Sequence, residues 1–253
     1  MPLIQDISKQ LDLTLLALYT LQKTTNEEFQ RKESTFLAGQ AELKQELSDY
    51  RERLEFVRME IFDQIHSGGS QEFKVVQGKI LNHEKFDQYS KNGSLRLNIG
   101  CGHKPDPEYI NVDRRNLPWI DIIAEADSLP FEPGSLEEIY SAHLLEHFTP
   151  IKLRTLLSYW RDLLVPGGRL RSVVPDAEGM ILAYSNGQMN FSDLRDVTFG
   201  TQNYDDDFHY TMFTADSLGS LLKQSGFVGV TIKDTNRING KCREMEIVTV
   251  KGL

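Results

Sequence analysis

The sequence has 253 residues, 40% of them hydrophobic, and a formal net charge of −9 at pH 7. This length accommodates one sizeable domain plus an accessory element, and the negative charge argues against a nucleic-acid partner, since phosphate contacts need a clustered basic surface. The two cysteines, Cys101 and Cys242, lie far apart in the sequence, so we expect no structural disulfide and a reducing compartment. No apolar run reaches the roughly 20 residues that cross a bilayer, and no signal-peptide pattern is present. We therefore expect a cytoplasmic protein that does not span a membrane.

The first quarter of the chain has the pattern of a long amphipathic helix. From about Ile4 to about His66 there is one glycine and no proline, and apolar residues recur at intervals of seven at Phe29, Phe36, Leu43, Tyr50 and Val57. Such spacing is typical of a coiled coil. The register slips near Thr24-Thr25-Asn26, where we expect a stutter or a break into two helices. We predict that residues 1–67 form a coiled coil that makes the protein a homo-oligomer. The alternative is an amphipathic helix that folds back on the rest of the chain.

The rest of the chain alternates between strand and helix signals. Gly68-Gly69-Ser70 is typical of a flexible joint, and residues 68–94 of a linker and lead-in with a short helix near Asn82 to Tyr89. In residues 95–253, strands are predicted at 95–99, 109–112, 120–124, 136–141, 169–174, 227–233 and 245–250, the last two as a hairpin. Helices are predicted to begin near residue 143, at 151–164, from residue 177 and at 218–224. This alternation predicts a mainly parallel sheet that is covered on both faces.

Two of the predicted strands end in residues suited to a nucleotide cofactor. The first predicted strand is followed by Gly100-Cys101-Gly102, and the next predicted strand is followed by Asp113. Glycine lets a backbone approach a ligand where a Cβ would collide, and a carboxylate at the tip of the neighbouring strand supplies acceptors for a ribose diol. Pro105 stands at the place of the third glycine of the dinucleotide fingerprint, which disfavours a nicotinamide cofactor. A tight turn would also explain the two glycines.

Four motifs in this order resemble the class I S-adenosylmethionine-dependent methyltransferases. They are Leu97–Gly102 followed by Asn111-Val112-Asp113, then Asp127 with Leu129-Pro130-Phe131, then Ser141–His147, and last Leu164–Gly168. The resemblance covers roughly residues 95–250 and is nearest to small bacterial enzymes of cell-surface polysaccharide (O-antigen-type) biosynthesis. It implies an α/β, Rossmann-like fold with a seven-stranded, mostly parallel sheet whose last strand is antiparallel. It also implies S-adenosyl-L-methionine as the cofactor.

The resemblance further implies a set of cofactor-binding residues. The glycine loop would pass close to the methionine part of the cofactor, and Asp113 would accept hydrogen bonds from the ribose hydroxyls. Asp127 would face the adenine amino group, with the next two residues beside the ring. Ser141 and His143 would lie where the sulfonium meets the acceptor, and Asn98 stands where the family usually has an acidic residue. The predicted set is Asn98, Gly100, Cys101, Gly102, Asp113, Asp127, Ser128, Leu129, Ser141 and His143.

Three residues are candidates for catalysis. Methyl transfer needs the acceptor to be aligned with the S–CH3 bond, and a hydroxyl acceptor also needs a general base. Histidine suits that role at neutral pH, which makes His143, at the end of a strand, and His209, in a polar-aromatic loop, the candidates. Asp176 follows the fifth core strand and is the third candidate. A helix N-cap is its alternative role.

Metal binding is considered at two places in the sequence. His143 and His147 would share one face of a helix with Glu146 between them, but no third ligand follows at a standard spacing. The run Asp205-Asp206-Asp207 could hold a divalent cation. It could also contact a sugar together with nearby aromatic residues, or be a solvated acidic loop. We assign no metal site from the sequence.

The resemblance therefore implies an enzyme that O-methylates a sugar hydroxyl of a bacterial surface polysaccharide or its precursor. The coiled coil would assemble the enzyme and could dock it to a glycan-assembly complex. A small metabolite or a protein side chain is the alternative acceptor. A non-catalytic scaffold that keeps the methyltransferase fold is the alternative from another class.

Overall fold

The computed structural model describes residues 10, 15, 18, 20–40, 43–44, 47, 50–51, 54, 78–91, 93, 95–202 and 207–253. The chain divides into two units, Met1–Gly69 and Ser70–Leu253. Within the described ranges, no helix has the length and apolar character needed to cross a membrane.

In the first unit, residues 20–40 form one continuous helix, which we call α1. The predicted break near residues 24–26 is therefore wrong, and Thr24 and Thr25 instead bond back to the carbonyls of Thr20 and Leu21. The apolar stripe of α1 is exposed, with Phe29 at 62% and Phe36 at 65% of full exposure. An apolar stripe of this kind needs a partner surface to be buried. Val57, the last position of the seven-residue pattern, lies outside the described residues.

The second unit is built on an eight-stranded sheet, one strand more than the resemblance implies. The strands are β1 (Lys79–Ile80), β2 (Arg96–Ile99), β3 (Ile110–Asp113), β4 (Ile122–Ile123), β5 (Leu136–Ala142), β6 (Leu164–Pro175), β7 (Phe227–Asn239) and β8 (Cys242–Lys251). Their order is β1-β4-β3-β2-β5-β6-β8-β7. Strand β8 runs antiparallel to β6 and β7, and the predicted closing hairpin is confirmed.

The extra strand comes from the segment that the sequence suggested was a linker. Strand β1 pairs antiparallel with β4 at the edge of the sheet. The helix that follows, α2 (His83–Lys91), confirms the predicted short helix, and its Phe86 and Tyr89 pack against the main core. The Lys85 ammonium lies 2.8 Å from the Asp121 carboxylate. Residues 79–91 thus belong to the sheet domain.

Helices cover mainly one face of the sheet, so the prediction of two covered faces is wrong. The helices after α2 are α3 (Pro150–Leu163), α4 (Ala177–Ser185), α5 (Phe191–Phe199) and α6 (Ala215–Gln224), with a 3-10 helix at Leu145–His147. The connections β2–β3, β3–β4 and β4–β5 contain no helix anywhere in residues 95–142, all of which are described. The apolar face packs into one core with α3 and α6 through Leu97, Ile99, Ile139, Leu170, Ile247, Leu157 and Leu222.

The opposite face of the sheet is polar, because side chains alternate between faces along each strand. Arg171 on β6 lies over the Tyr140 ring at 4.8 Å and pairs with Glu246 on β8 at 2.7 Å. Arg169 pairs with the buried Glu138 on β5 at 2.7 Å. These charges compensate one another across strands, so this face needs no helix to bury it.

Asp176 is the N-cap of α4, which confirms the alternative role considered from the sequence. One carboxylate oxygen accepts a hydrogen bond from the Gly179 amide at 3.1 Å. The other accepts one from the Asn236 amide on β7 at 2.9 Å. The carboxylate is buried and therefore ties the start of a helix to the last hairpin.

This double role predicts a stability defect. Asp176→Ala should lower the free energy of unfolding by about 1–3 kcal/mol, since it removes a cap and leaves a buried amide without its acceptor. Asp176→Asn keeps an N-cap oxygen and should lose less. Chemical denaturation would measure both, with Ser220→Ala, at an exposed position inside α6, as the control. Equal stability of Asp176→Ala and wild type would contradict the anchoring role.

Candidate active site

The predicted site residues collect at one edge of the sheet because four strands run parallel and in register. Ile99 at the end of β2 pairs with Val112 of β3 and with Ser141 of β5. Asp113 at the end of β3 pairs with Ile123 at the end of β4. The loops that follow these strands therefore begin side by side, at the edge where open α/β sheets bind ligands.

The glycine loop is held tightly between β3 and the loop after β5. Gly100 and Gly102 both have left-handed backbone conformations, with φ of +66° and +51°. A Cβ on Gly100 would come within 2.8 Å of the Leu144 side chain, whereas a Cβ on Gly102 would meet nothing closer than Arg115 at 3.5 Å. Gly102 therefore has room for a ligand beside it, and Gly100 lets two loops pack together. The Trp119 indole donates to the Gly102 carbonyl at 2.6 Å.

Cys101, between the glycines, is buried beside Leu117 and Ile120. Its burial, reinforced by the negative charge of Asp113, raises the pKa of the thiol well above its usual range. The side chain is therefore a packed thiol that does not ionise near neutral pH.

Asp113 fixes the glycine loop to β3. One oxygen of its buried carboxylate accepts a hydrogen bond from the Gly102 amide at 3.0 Å. The other accepts from the Arg115 amide at 3.0 Å and from the Arg115 guanidinium at 3.1 Å. A carboxylate offers about four acceptor positions, so a diol would bind fully only where the Arg115 side chain gives way. Arg115 is not among the site residues predicted from the sequence, and its position two residues after Asp113 was the available signal.

Asn98 lies beneath this loop as part of a buried amide network. Its side chain donates to the Lys104 carbonyl at 3.2 Å and to the Asn111 side chain at 3.1 Å. Asn111 in turn donates to the Asp106 carbonyl at 3.0 Å. The network shapes the loop between β2 and β3.

In the segment after β4, Asp127, which was predicted to face adenine, lies against α3. The Asp127 carboxylate is partly exposed and lies 2.9 Å from the Lys152 ammonium. Ser128 is exposed, and Leu129 is buried with its amide bonded to the Tyr159 hydroxyl at 2.8 Å. Glu125 lies nearer than Asp127 to the end of β4 and was not singled out from the sequence.

Ser141 lies within the sheet on the helix-covered face. It is 1% exposed, and its hydroxyl is 3.1 Å from that of Ser172 on β6. The structure therefore places Ser141 in a hydrogen-bonded pair inside the core. The residues that follow β5 lie closer to the edge formed by the carboxyl ends of the parallel strands.

His143 bridges two carboxylates and is not part of a helix, contrary to the expectation of a helical pair with His147. Its backbone has a left-handed φ of +50°. The Nε2 atom lies 2.8 Å from Glu244 and Nδ1 lies 3.3 Å from Glu146. Burial lowers the pKa of His143, but the contacts with Glu146 and Glu244 outweigh burial and raise the pKa to about 9. The imidazole is therefore protonated at neutral pH.

The pKa values of the two carboxylates, Glu146 and Glu244, shift in the opposite direction from that of His143. Burial raises the pKa of Glu244, but hydrogen bonds from His143, Asn239 and Arg237 lower it more, to about 2. Burial also raises the pKa of Glu146, and His143 more than compensates, so that the net pKa lies below its usual value. Both carboxylates are charged, and the sequence pattern had not identified Glu244.

His209 comes close to Glu146 and His147 although it is far away in sequence. The rings of His147 and His209 meet edge to face with centroids 4.8 Å apart. Burial lowers the pKa of His209, so this ring is neutral near pH 7. The loop before α6 thus brings His209 next to Glu146 and His147, with one side-chain N or O atom of each within 4.8 Å of the others.

Of the three aspartates in the acidic loop, the structure describes Asp207. Tyr204, Asp205 and Asp206 lie outside the described residues, and Asp207 accepts a hydrogen bond from the Thr201 hydroxyl. Asp176 is engaged on both oxygens as described for α4. Among the predicted catalytic residues, the structure therefore brings His143 and His209 to one cluster around Glu146.

The sheet order, with one antiparallel strand inserted near its end, agrees with the fold that the sequence resemblance implies. Neither a protein-family model nor a curated protein matches the sequence. Among solved structures, a methyltransferase from Methanosarcina mazei is similar with 16% identity and a TM-score of 0.45, over 67% of this chain and 98% of that chain.

Two further similar structures contain S-adenosylhomocysteine. The 1,6-didemethyltoxoflavin-N1-methyltransferase of Burkholderia thailandensis has 15% identity and a TM-score of 0.44, over 80% of this chain and 90% of its own. A Haemonchus contortus phosphoethanolamine N-methyltransferase has 13% identity and a TM-score of 0.40, over 64% of this chain. The alignment spans about half of the Haemonchus enzyme, 49% of its length. Similarity at this level gives no information about the acceptor.

Proposed function

We propose that this protein is an S-adenosylmethionine-dependent methyltransferase. The observation that carries the proposal is the buried Asp113 carboxylate at the tip of β3, hydrogen-bonded at 3.0 Å to the Gly102 amide of the loop after β2. A carboxylate next to a glycine turn at the carboxyl edge of a parallel sheet is the arrangement that binds the ribose of a nucleotide.

The chain's own residues fit the parts of this cofactor. Asp113 would bind the ribose hydroxyls, with Arg115 moving aside, and the open surroundings of Gly102 would admit the cofactor next to the backbone. Glu125, two residues after β4, and Asp127 are carboxylates that could bind the adenine ring of the cofactor at that edge of the sheet. When bound, the cofactor supplies a methyl group that its sulfonium has already activated.

The proposed reaction is a direct transfer to the acceptor atom. Bound there, the cofactor would supply its methyl carbon to an acceptor oxygen, and its sulfur would keep the electron pair of the broken carbon–sulfur bond as a neutral thioether. A hydroxyl acceptor must also lose its proton. Protonated His143 cannot accept that proton at neutral pH, so its role is to hold Glu146 and Glu244 in place. In the absence of a metal ion on its ring, neutral His209 is the candidate proton acceptor.

We propose a hydroxyl of a glycan or glycan precursor as the acceptor, and the main support for this narrower proposal is the sequence resemblance. Phe208 and Tyr210 are exposed beside His209, and aromatic rings of this kind suit a sugar face. A small metabolite and a protein side chain are the competing acceptors. The cytoplasmic location stays a prediction from the sequence.

Cofactor binding can be followed through Trp119, whose indole donates to the Gly102 carbonyl. S-adenosylmethionine should change the fluorescence of a Trp160→Phe variant, in which Trp119 is the remaining tryptophan. Asp113→Asn should weaken binding by about tenfold or more, because hydrogen bonds to a charged acceptor contribute about 1.5–3 kcal/mol each. Calorimetry on wild type would provide the affinity. Asp87→Asn, at an exposed position of α2, is the control. Absence of cofactor binding to wild type would favour the non-catalytic scaffold.

The acceptor class can be separated by following a labelled methyl group. Incubation with labelled S-adenosylmethionine and separate pools of sugar nucleotides, small metabolites and proteins should give label in the sugar pool, at an oxygen, as resolved by mass spectrometry. Asp113→Asn should reduce that label strongly. Label only in metabolites or proteins would contradict the sugar proposal and leave the enzyme class intact.

We also propose that α1 self-associates, since its apolar stripe is exposed along the described helix. The double change Phe29→Glu and Phe36→Glu places charges at two stripe positions and should reduce the oligomer to monomers. Ser34→Glu with Ala38→Glu, which lie off the stripe, should leave the mass unchanged. Light scattering coupled to size exclusion measures the mass. A monomeric wild type would refute self-association.

A further inference from the structure

We propose that Glu146, His147 and His209 bind a divalent first-row transition-metal cation such as Zn²⁺. One ligand atom from each of the three residues lies within 4.8 Å of the others. A cation bound at about 2.0–2.2 Å needs ligand atoms about 3–3.5 Å apart, so metal binding would draw the three side chains together through small movements. Two imidazoles with one carboxylate form a donor set that transition metals prefer to Mg²⁺ or Ca²⁺.

The first independent observation is the state of the Glu146 carboxylate. This side chain is 1% exposed, and neither of its oxygens makes a hydrogen bond within the described part of the chain. Its one cationic neighbour among the described ion pairs is His143, 3.3 Å away and not aligned for a hydrogen bond. Native proteins leave few buried polar atoms without a hydrogen-bond partner, and a bound ion can satisfy those that remain. The carboxylate therefore needs a partner at the place where the two histidines meet it.

The second observation is the orientation of the two histidines. The Nδ1 atom of His147 is 3.1 Å from the Phe208 carbonyl, and that of His209 is 2.7 Å from the Val197 carbonyl. Because a carbonyl only accepts, each ring must carry its proton on Nδ1, which leaves the Nε2 lone pair for a ligand. Metal-binding histidines commonly have this arrangement, in which a backbone carbonyl fixes the tautomer.

The backbone holds the three ligands together across a large sequence separation. The amides of Tyr210 and Thr211 both donate to the Glu146 carbonyl, at 2.8 and 3.3 Å. The His209 amide donates to the Phe199 carbonyl at 3.1 Å. Gly200 makes this possible, since a Cβ there would overlap the Asp207 carbonyl and its φ of +79° is left-handed. The loop before α6 is thus fastened to the 3-10 helix that carries Glu146.

The position of this site suggests its use, and this step depends on the proposed function. Leu144, two residues before Glu146, contacts the position of Gly100 in the glycine loop, so the three ligands lie next to the proposed cofactor site. Three protein ligands leave a coordination position open for substrate, as in catalytic zinc sites. A cation there would lower the pKa of an acceptor hydroxyl and so assist the loss of its proton. The acceptor class would then be a molecule with a hydroxyl oxygen that can bind a metal.

Metal binding can be tested on the full-length chain without cofactor or acceptor. After treatment with a chelator, the protein should take up one equivalent of Zn²⁺ by elemental analysis, and Co²⁺ should give visible ligand-field absorption. Glu146→Gln, His147→Ala and His209→Ala should each weaken Zn²⁺ binding by more than about tenfold, since even changes next to metal ligands cost 10–100-fold. His83→Ala, an exposed histidine on α2, is the matched control and should bind as wild type does.

Thermal unfolding guards against variants that do not fold. Zn²⁺ should raise the melting temperature of wild type and His83→Ala, and should not raise that of the three ligand variants. Affinity for S-adenosylmethionine should stay within about twofold to threefold in His209→Ala, while methyl transfer is lost. Wild type that binds the cofactor but neither Zn²⁺ nor Co²⁺ would overturn the metal site and leave the methyltransferase proposal intact. Metal binding without cofactor binding would support the metal site and overturn the methyltransferase proposal.

Discussion

The parallel pairing of β2, β3, β4 and β5 is the constraint on which the site depends. In parallel strands the carboxyl ends point the same way, so registered pairing brings the loops after all four strands to one edge of the sheet. The glycine turn, Asp113, the segment containing Glu125, and the loop from His143 to His147 are neighbours for this reason. No loop needs to be long to reach the others, which explains how a sheet without crossover helices in its first half still assembles a site.

Charge balance is the second organising feature of this edge. Three buried or partly buried groups, Glu244, His143 and Glu146, alternate in sign, and Arg237 pairs with Glu244 at one end of this series. A buried charge is tolerated only when it is paired. His143 has a carboxylate on each side, whereas the cation that pairs with Glu146 among the described residues lies on one side of it. The unfavourable left-handed backbone of His143 is consistent with a residue held in place by these charges, as strained residues at functional sites often are.

Local patterns in the sequence predicted the elements well where one interaction dominates. The closing hairpin, the short helix α2, the N-cap at Asp176 and the tight turn at Gly100 and Gly102 all depend on neighbouring residues, and all are present. The expected cover on the second face of the sheet is missing, and Arg171, Glu246, Glu138 and their partners neutralise one another on that open face. That compensation joins residues of different strands and leaves no trace in the periodicity of any one segment.

By itself, the sequence determined seven of the strands in the sheet domain, the glycine turn with its neighbouring carboxylate, and the apolar stripe of α1, because each depends on the spacing of nearby residues. Only the tertiary structure decided which side chains meet. It brought His209 to Glu146 and His147, set Glu244 against His143, and turned Asp127 towards Lys152. These contacts join residues from separate strands and loops, so their partners follow from the folding of the sheet and not from distance along the chain.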